Sequence, residues 1–344
     1  MNRTTRNRDF HEARRAKKDE FYTSLRDIAI ELKHYTSHFE DKVVYCNCDD
    51  PRSSNFFRYF SANFEKLGLK KLITTSYRSQ DASLFGGGDS DQAVYLEYTG
   101  DKNGNSVPDA EEIGIKLLTG DGDFRSAESV KLLKQADVVV TNPPFSLFRE
   151  YVAQLIEYEK KFLIIGNMNA VTYKEVFPLF QNNQIWYGPS IRSGDREFRV
   201  PDDYPITAAG SRVDEYGNKY VRVKGVRWFT NLDYPGRHED LDLQRAYCSD
   251  AYPKYANLDV IEVSKTMNIP FDYDGPMGVP ITFLDKYNPR QFDILGSSKT
   301  LSRPMSQIAK KGSYQQGGPR FYLPNGDGTY RRMYDRIVIR KKQS

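Results

Sequence analysis

Three cysteines in 344 residues cannot build a disulfide framework, and Cys46, Cys48 and the distant Cys248 with four scattered histidines have no zinc-ligand spacing. No metal site is expected. No apolar run approaches about 18 residues, which excludes a membrane-spanning helix, and the polar amino-terminal segment argues against a secretory signal. The expected location is the cytoplasm. Gly86-Gly87-Gly88 is not followed by the Lys-Ser/Thr of a phosphate loop, and no G-x-G-x-x-G follows a strand, so nucleotide hydrolysis and ordinary dinucleotide binding lack support. Repeats and low-complexity linkers are also missing. A net charge of +4 is too small to make the whole molecule a strong polyanion binder, but the charge is uneven. Residues 1–20 hold seven Lys/Arg against four acids, and the last fourteen hold Arg331, Arg332, Arg336, Arg340, Lys341 and Lys342 against Asp335 alone. Both ends are candidates for phosphate contacts or for plain solvated termini.

With 39% hydrophobic and 28% charged residues, the chain has the composition of a globular protein and enough length for a large core. Apolar runs rich in β-branched residues at 42–46, 71–75, 137–141 and 162–166 read as buried parallel strands, because a strand covered on both faces needs no polar alternation. Between them, 55–67, 126–135 and 146–159 carry apolar residues at helical spacing. The pattern predicts an α/β fold with a doubly wound, mostly parallel sheet whose ligands lie at the carboxyl ends of the strands. Residues 92–99 alternate like a solvent-facing strand and lead into a Gly/Asn-rich tip, which predicts an inserted hairpin. Beyond about 184 short strands dominate, among them 219–223 and 226–230. A soft boundary near 235 divides a domain of residues 1–235 from a strand-rich region of residues 236–344.

The strand ending at Thr141 runs directly into Asn142-Pro143-Pro144-Phe145 and then a helix. Two consecutive prolines fix φ and restrict the residue before them, so Asn142 and the Pro143 carbonyl are held rigidly at the strand's carboxyl end. Such a turn suits methylation of an exocyclic or amide nitrogen, whose lone pair is delocalised and poorly nucleophilic. If the Asn142 side-chain oxygen and the Pro143 carbonyl accept its two N–H bonds, the nitrogen is drawn towards tetrahedral geometry and its lone pair is freed to attack a sulfonium methyl. Phe145 offers an aromatic face for a planar base taken out of its stack. The bland alternative is an Asn-Pro-Pro turn that merely ends a strand.

The sequence resembles the S-adenosylmethionine-dependent amino-methyltransferases and, more closely, the EcoRI-type adenine-specific DNA methyltransferases. The resemblance spans about 18–340 and is carried by 18–23 (KDEFYT), 45–51 (YCNCDDP), 120–126 (GDGDFRS), 141–145 (TNPPF) and 278–284 (GVPITFL). It implies a Rossmann-like methyltransferase fold with a strand-rich carboxyl-terminal target-recognition region, S-adenosyl-L-methionine as cofactor and double-stranded DNA as partner, with no membrane. The catalytic set it implies is Asn142, Pro143, Pro144 and Phe145. Tyr22 and Thr23 would lie against the methionine part of the cofactor, Cys46, Asn47, Asp49 and Asp50 would flank its amino-acid and ribose portions, and Asp123 with Phe124 would contact the adenine. The chain departs from the wider class in having no glycine between Lys42 and Leu67, so Cys46, Asn47 and Cys48 must provide the close backbone approach.

A calcium-loop template fits Asp101, Asn103, Asn105, Val107, Asp109 and Glu112, but its sixth position is Ser106 where the turn wants glycine, and a strand precedes it. A polar hairpin tip is the expectation. Arg192, Arg196, Arg199, Arg222 and Arg227 form a pool of candidate DNA contacts within which sequence does not separate base readers from phosphate clamps. The leading function is methylation of adenine N6 in DNA by base flipping, in a restriction-modification setting. The alternatives are methylation of RNA, of a protein glutamine or of cytosine N4, and a non-catalytic nucleic-acid-binding protein, against which the intact 142–145 tetrad counts. Oligomeric state is left open, with a monomer compatible.

Overall fold

A computed structural model of the chain describes residues 22–48, 54–76, 93–102, 104, 113–192, 195–200, 204 and 210–343. Asp49, Asp50, most of the 101–112 loop and the basic segment 1–20 lie outside them. Two units partition the chain, Met1–Ala170 with Gly188–Leu232 and Val171–Tyr187 with Asp233–Ser344.

In the first unit the expected strands form as β1 (Val43–Cys46), β2 (Lys71–Thr75), β5 (Val138–Thr141) and β6 (Lys161–Asn167), joined by β3 (Val94–Tyr98) and β4 (Gly114–Leu117). A three-stranded sheet of β7 (Asp195–Val200), β8 (Ser211–Val213) and β9 (Lys219–Lys224) precedes β10 (Val226–Thr230). The main sheet runs β4-β3-β2-β1-β5-β6-β10. Its centre is parallel, with β1 between β2 and β5 and β5 beside β6. On either side it turns antiparallel, through β3 and β4 at one edge and through β10 on β6 at the other. The sheet is therefore mixed and not mostly parallel. A parallel step needs a long crossover, and helices supply one only between β1 and β2, β4 and β5, and β5 and β6. The β3–β4 hairpin has none, and β10 follows β9 after a single glycine.

The helices begin where side chains can satisfy the first free amides. Ser24 caps α1 (Leu25–Leu32) by accepting from Asp27 N, Ser54 caps α2 (Asn55–Ala62) by accepting from Phe57 N, and Ser126 caps α4 (Ala127–Gln135) through Ser129 N. The stretch 55–67 is not one helix, because it breaks at Asn63 before α3 (Phe64–Leu67), which ends at Gly68 with φ 62°. Helix α5 (Phe148–Glu157) buries Phe148, Tyr151, Val152 and Leu155. Phe148 meets Phe229 of β10 edge-on at 4.8 Å, and a Cβ at Gly166 of β6 would fall 2.4 Å from the Phe148 ring. Glycine there lets the helix sit close on the sheet.

In the second unit β11 (Ile261–Glu262), β12 (Met277–Pro280), β13 (Phe292–Ser297) and β16 (Arg336–Lys341) form a sheet in the order β11-β12-β16-β13. A hairpin pairs β14 (Tyr322–Pro324) with β15 (Tyr330–Arg332). Tyr255, Val260, Phe321, Leu323 and Val338 make a buried cluster. A buried ion pair joins Arg336 to Glu262 at 2.7 Å, and the Tyr255 hydroxyl also donates to Glu262. A Cβ at Gly278 would fall 2.3 Å from that hydroxyl, which explains why glycine opens the 278–284 segment. Among the described residues no helix is long and apolar enough to cross a membrane.

Candidate active site

Strand order reverses at β1, since β2 lies on one side of it and β5 on the other. The crevice outside the carboxyl ends of β1 and β5 is thus a topological switch point, where open α/β sheets bind ligands. Asn142-Pro143-Pro144-Phe145 leaves β5 at this point. Pro144 has φ −54° and ψ 123°, and its carbonyl accepts Leu147 N at 3.0 Å, which turns the chain into a short 3-10 segment over Phe145–Leu147. Asn142 and Pro143 are buried, while Phe145 is half-buried and offers part of its ring to solvent.

Two loops are tied to this turn. Thr23 is buried, its hydroxyl accepts Asn142 Nδ2 at 3.3 Å, and its carbonyl accepts Asn55 Nδ2 at 2.8 Å. Tyr22, next to it, donates its backbone N–H to Arg199 O at 3.0 Å and so joins the segment to β7. Asn47, just beyond β1, receives Thr141 Oγ1 on its carbonyl and the Tyr151 hydroxyl on its side-chain oxygen. Thr141, Asn47 and Tyr151 are all buried, so the switch-point loop is fixed from β5 and from α5 at once. Sequence reasoning singled out neither Thr141 nor Tyr151 as positioning groups. Tyr151 sits on the apolar stripe of 146–159 and reads there as an ordinary core aromatic.

Cys46 is fully buried, whereas Cys48 is partly exposed and has φ 65°. The left-handed turn that glycine usually supplies is here taken by cysteine, at a cost of about 1–3 kcal/mol for a non-glycine residue. A second left-handed turn lies at Gly122, with φ 76°, where a Cβ would sit 2.1 Å from Ser76 O. Only glycine brings the 120–124 loop this near the carboxyl end of β2. Asp123 pairs with Arg125 at 2.7 Å, and Arg125 in turn reaches Glu150 at 2.8 Å. Phe124 is buried edge-on to Tyr151 at 5.0 Å, and its carbonyl accepts Gln154 Nε2 at 3.1 Å. The structure thus brings Thr23, Cys46, Asn47, Cys48, Asn142 and the 122–124 loop to the carboxyl ends of β1, β2 and β5.

Helix α1, which follows Thr23, carries a fully buried Glu31. Burial raises its carboxyl to about 7, against the opposing bonds from Ser190 and the Tyr35 hydroxyl, which donates at 2.9 Å. A Cβ at Gly188 would lie 1.9 Å from Glu31 Oε1, so glycine makes room for the carboxylate.

The arginine pool divides. Arg227 is buried and donates to the carbonyls of Val226 and Arg192, so it holds backbone and is no DNA contact. Arg196 lies 3.7 Å from Asp27 and Arg222 lies 3.9 Å from Asp195, while Arg192 and Arg199 are exposed. At the carboxyl end, Arg336 belongs to the buried Glu262 pair, Lys341 lies 3.7 Å from Asp274 and Lys342 lies 3.2 Å from Asp293.

Residues 9–342 match the family described as adenine-specific methyltransferase EcoRI. The chain is 49% identical over 316 residues to the type II methyltransferase M.EcoRI of Escherichia coli, covering 91% of this chain and 96% of that protein. It is 38% identical to the type II methyltransferase M.MpnI of Mycoplasma pneumoniae and 36% identical to M.MgeORF184P of Mycoplasma genitalium. Each of these matches covers 97% of this chain and at least 98% of the relative. No solved structure matches the chain. With the tetrad at the switch point and a family match over nearly its whole length, the chain belongs to the EcoRI family of adenine-specific methyltransferases.

Proposed function

We propose that this chain transfers the methyl group of S-adenosyl-L-methionine to the N6 amino group of an adenine flipped out of double-stranded DNA, at a specific site. The observation that carries the reading is the Asn142–Phe145 turn at the end of β5, with the Asn142 amide nitrogen bonded to Thr23. The amide's oxygen is thereby directed away from Thr23, as an acceptor for an incoming amino group requires. In this reading Asn142 Oδ1 and the Pro143 carbonyl take the two N–H bonds of the target and Phe145 stacks on its ring. No strong base is needed, because the proton leaves from an already positive nitrogen after the methyl has moved.

The residues at the carboxyl ends of β1 and β2 suit the cofactor, which when bound supplies an electrophilic sulfonium methyl. Thr23 and Tyr22 would hold its methionine part, and Cys46, Cys48, Asp49 and Asp50 would surround the amino-acid and ribose portions. Asp123 and Phe124 would meet the adenine. We assign Asn47 a positioning role, since its side chain is taken by Tyr151 and its carbonyl by Thr141. The fold is then Rossmann-like, residues 1–235 perform catalysis, residues 236–344 recognise the target, and the protein works in the cytoplasm. Incubation of the protein with labelled cofactor and a plasmid, followed by sequencing that reports modified bases, tests the reading. Methylated adenine at a recurring sequence is the expected outcome, and label confined to RNA, protein or cytosine would refute it.

A further inference from the structure

We propose that the face of the second unit bearing Arg303, Lys310, Lys311 and Arg331 is a phosphate-clasping surface for duplex DNA, a deepening of the DNA reading above. Residues 299–332 hold seven Lys/Arg and a single acid, Asp327, so this stretch alone carries more positive charge than the net +4 of the chain. Most of the opposing charge of the molecule lies elsewhere. Arg303, Lys310, Lys311 and Arg331 are exposed, and none makes an ion pair with a carboxylate of the described residues. The other three basic residues are engaged. Arg320 pairs with Asp335 at 2.9 Å, Lys299 donates to the Thr172 carbonyl at 2.8 Å, and Arg332 donates to Gly318 O at 3.2 Å. Asp327 sits at the hairpin tip, where Thr329 donates to it from both N and Oγ1.

The four cations stand on a fixed frame. Buried Asn257 donates to the carbonyls of Arg303 and Arg320 and accepts Tyr322 N, which pins the 303 loop to the β14–β15 hairpin. Ser313 N bonds to Lys310 O at 3.2 Å, and Tyr330 N bonds to Ser313 O at 2.8 Å, which sets the Lys310-Lys311 turn beside Arg331. The Tyr322 hydroxyl donates to Gln315 O at 2.8 Å and closes the loop from inside. Exposed cations held by a rigid backbone, without carboxylates to satisfy them, suit a regular array of phosphates and carry no base-reading geometry.

The test compares the full-length protein with the variant R303Q/K310Q/K311Q/R331Q and with K310E/K311E, using fluorescence anisotropy of a duplex that lacks the target site, across a salt series. Neutralising the face is expected to weaken binding by at least ~10-fold at low salt and to make the slope of log K against log salt shallower by about 3, near 0.9 for each phosphate lost. Thermal melting and cofactor binding should stay at wild-type values. An unchanged slope and affinity in both variants, with wild-type protein still methylating DNA, would overturn the surface and leave the methyltransferase reading intact. Wild-type protein that binds duplex with the expected slope loss in the variants yet methylates no DNA would sink that reading and leave the surface standing.

Discussion

The side-chain amide of Asn142 donates to the hydroxyl of Thr23 at 3.3 Å, across 119 residues of sequence. An asparagine amide has one donor end and one acceptor end, so the neighbour that takes the donor end fixes where the acceptor points. Thr23 therefore acts on the reaction through Asn142. Replacing it by valine keeps the shape and removes the hydroxyl. We expect Thr23→Val to lower kcat about 10-fold, the worth of one hydrogen bond of ~1.4 kcal/mol, and Thr23→Ser to restore most of it. Steady-state kinetics separate this from a purely structural role, because a Thr23→Ser variant as slow as Thr23→Val would contradict it.

Gly122 brings the Asp123-Phe124 loop against the end of β2. A methyl group there would meet Ser76 O at 2.1 Å in a backbone conformation that alanine disfavours. Gly122→Ala is expected to weaken cofactor binding at least ~10-fold and to destabilise the first unit by roughly 1–3 kcal/mol. Isothermal calorimetry and urea unfolding read the two effects, and wild-type values in both would contradict the loop's role.

Glu31 links stability to pH. Its carboxyl is raised from 4.5 to about 7 by burial, so the folded chain holds a proton that the unfolded chain releases above pH 4.5. The stabilisation is fully present below pH 4.5 and is lost as pH rises through about 7. Glutamine mimics the protonated acid, with Nε2 facing the Tyr35 hydroxyl and Oε1 accepting Ser190 N. Glu31→Gln is expected to flatten the fall in stability between pH 5 and 8 and to be more stable than wild type at pH 8 by on the order of 3 kcal/mol. Denaturant unfolding at the two pH values checks this, and parallel curves for both proteins would refute it.

The second unit depends on the Arg336–Glu262 pair. Removing one partner leaves a buried charge alone, so Arg336→Met is expected to cost about 3–5 kcal/mol. Replacing both with apolar residues of similar volume should recover much of that loss. Thermal unfolding of the single and double variants decides between a required pair and a replaceable one.

Much of the fold was legible because β1, β2, β5 and β6 are unbroken apolar runs that no helix would use, and their bounds fall within a residue of those expected. The direction of β10 was not, since its five buried residues look the same in a parallel or an antiparallel neighbour. The break at Asn63 was also hidden, because the apolar spacing continues across it. In the candidate site, the tetrad was readable from two prolines at a strand's end. The tie from Asn142 to Thr23 and the clamp of Thr141 and Tyr151 on Asn47 were not, because each joins residues 94 to 119 apart. Arginines 227 and 336 looked like surface charge for the same reason, as their partners lie far along the chain.

Single-turnover methyl transfer by Asn142→Ala, with labelled S-adenosyl-L-methionine and a duplex carrying the target, tests the central claim most directly. Losing one preorganised acceptor is expected to slow the chemical step about 100- to 1000-fold, while cofactor affinity stays within a few fold and the thermal melt is unchanged. A folded variant that methylates adenine at close to the wild-type rate would contradict the role given to the turn at the end of β5.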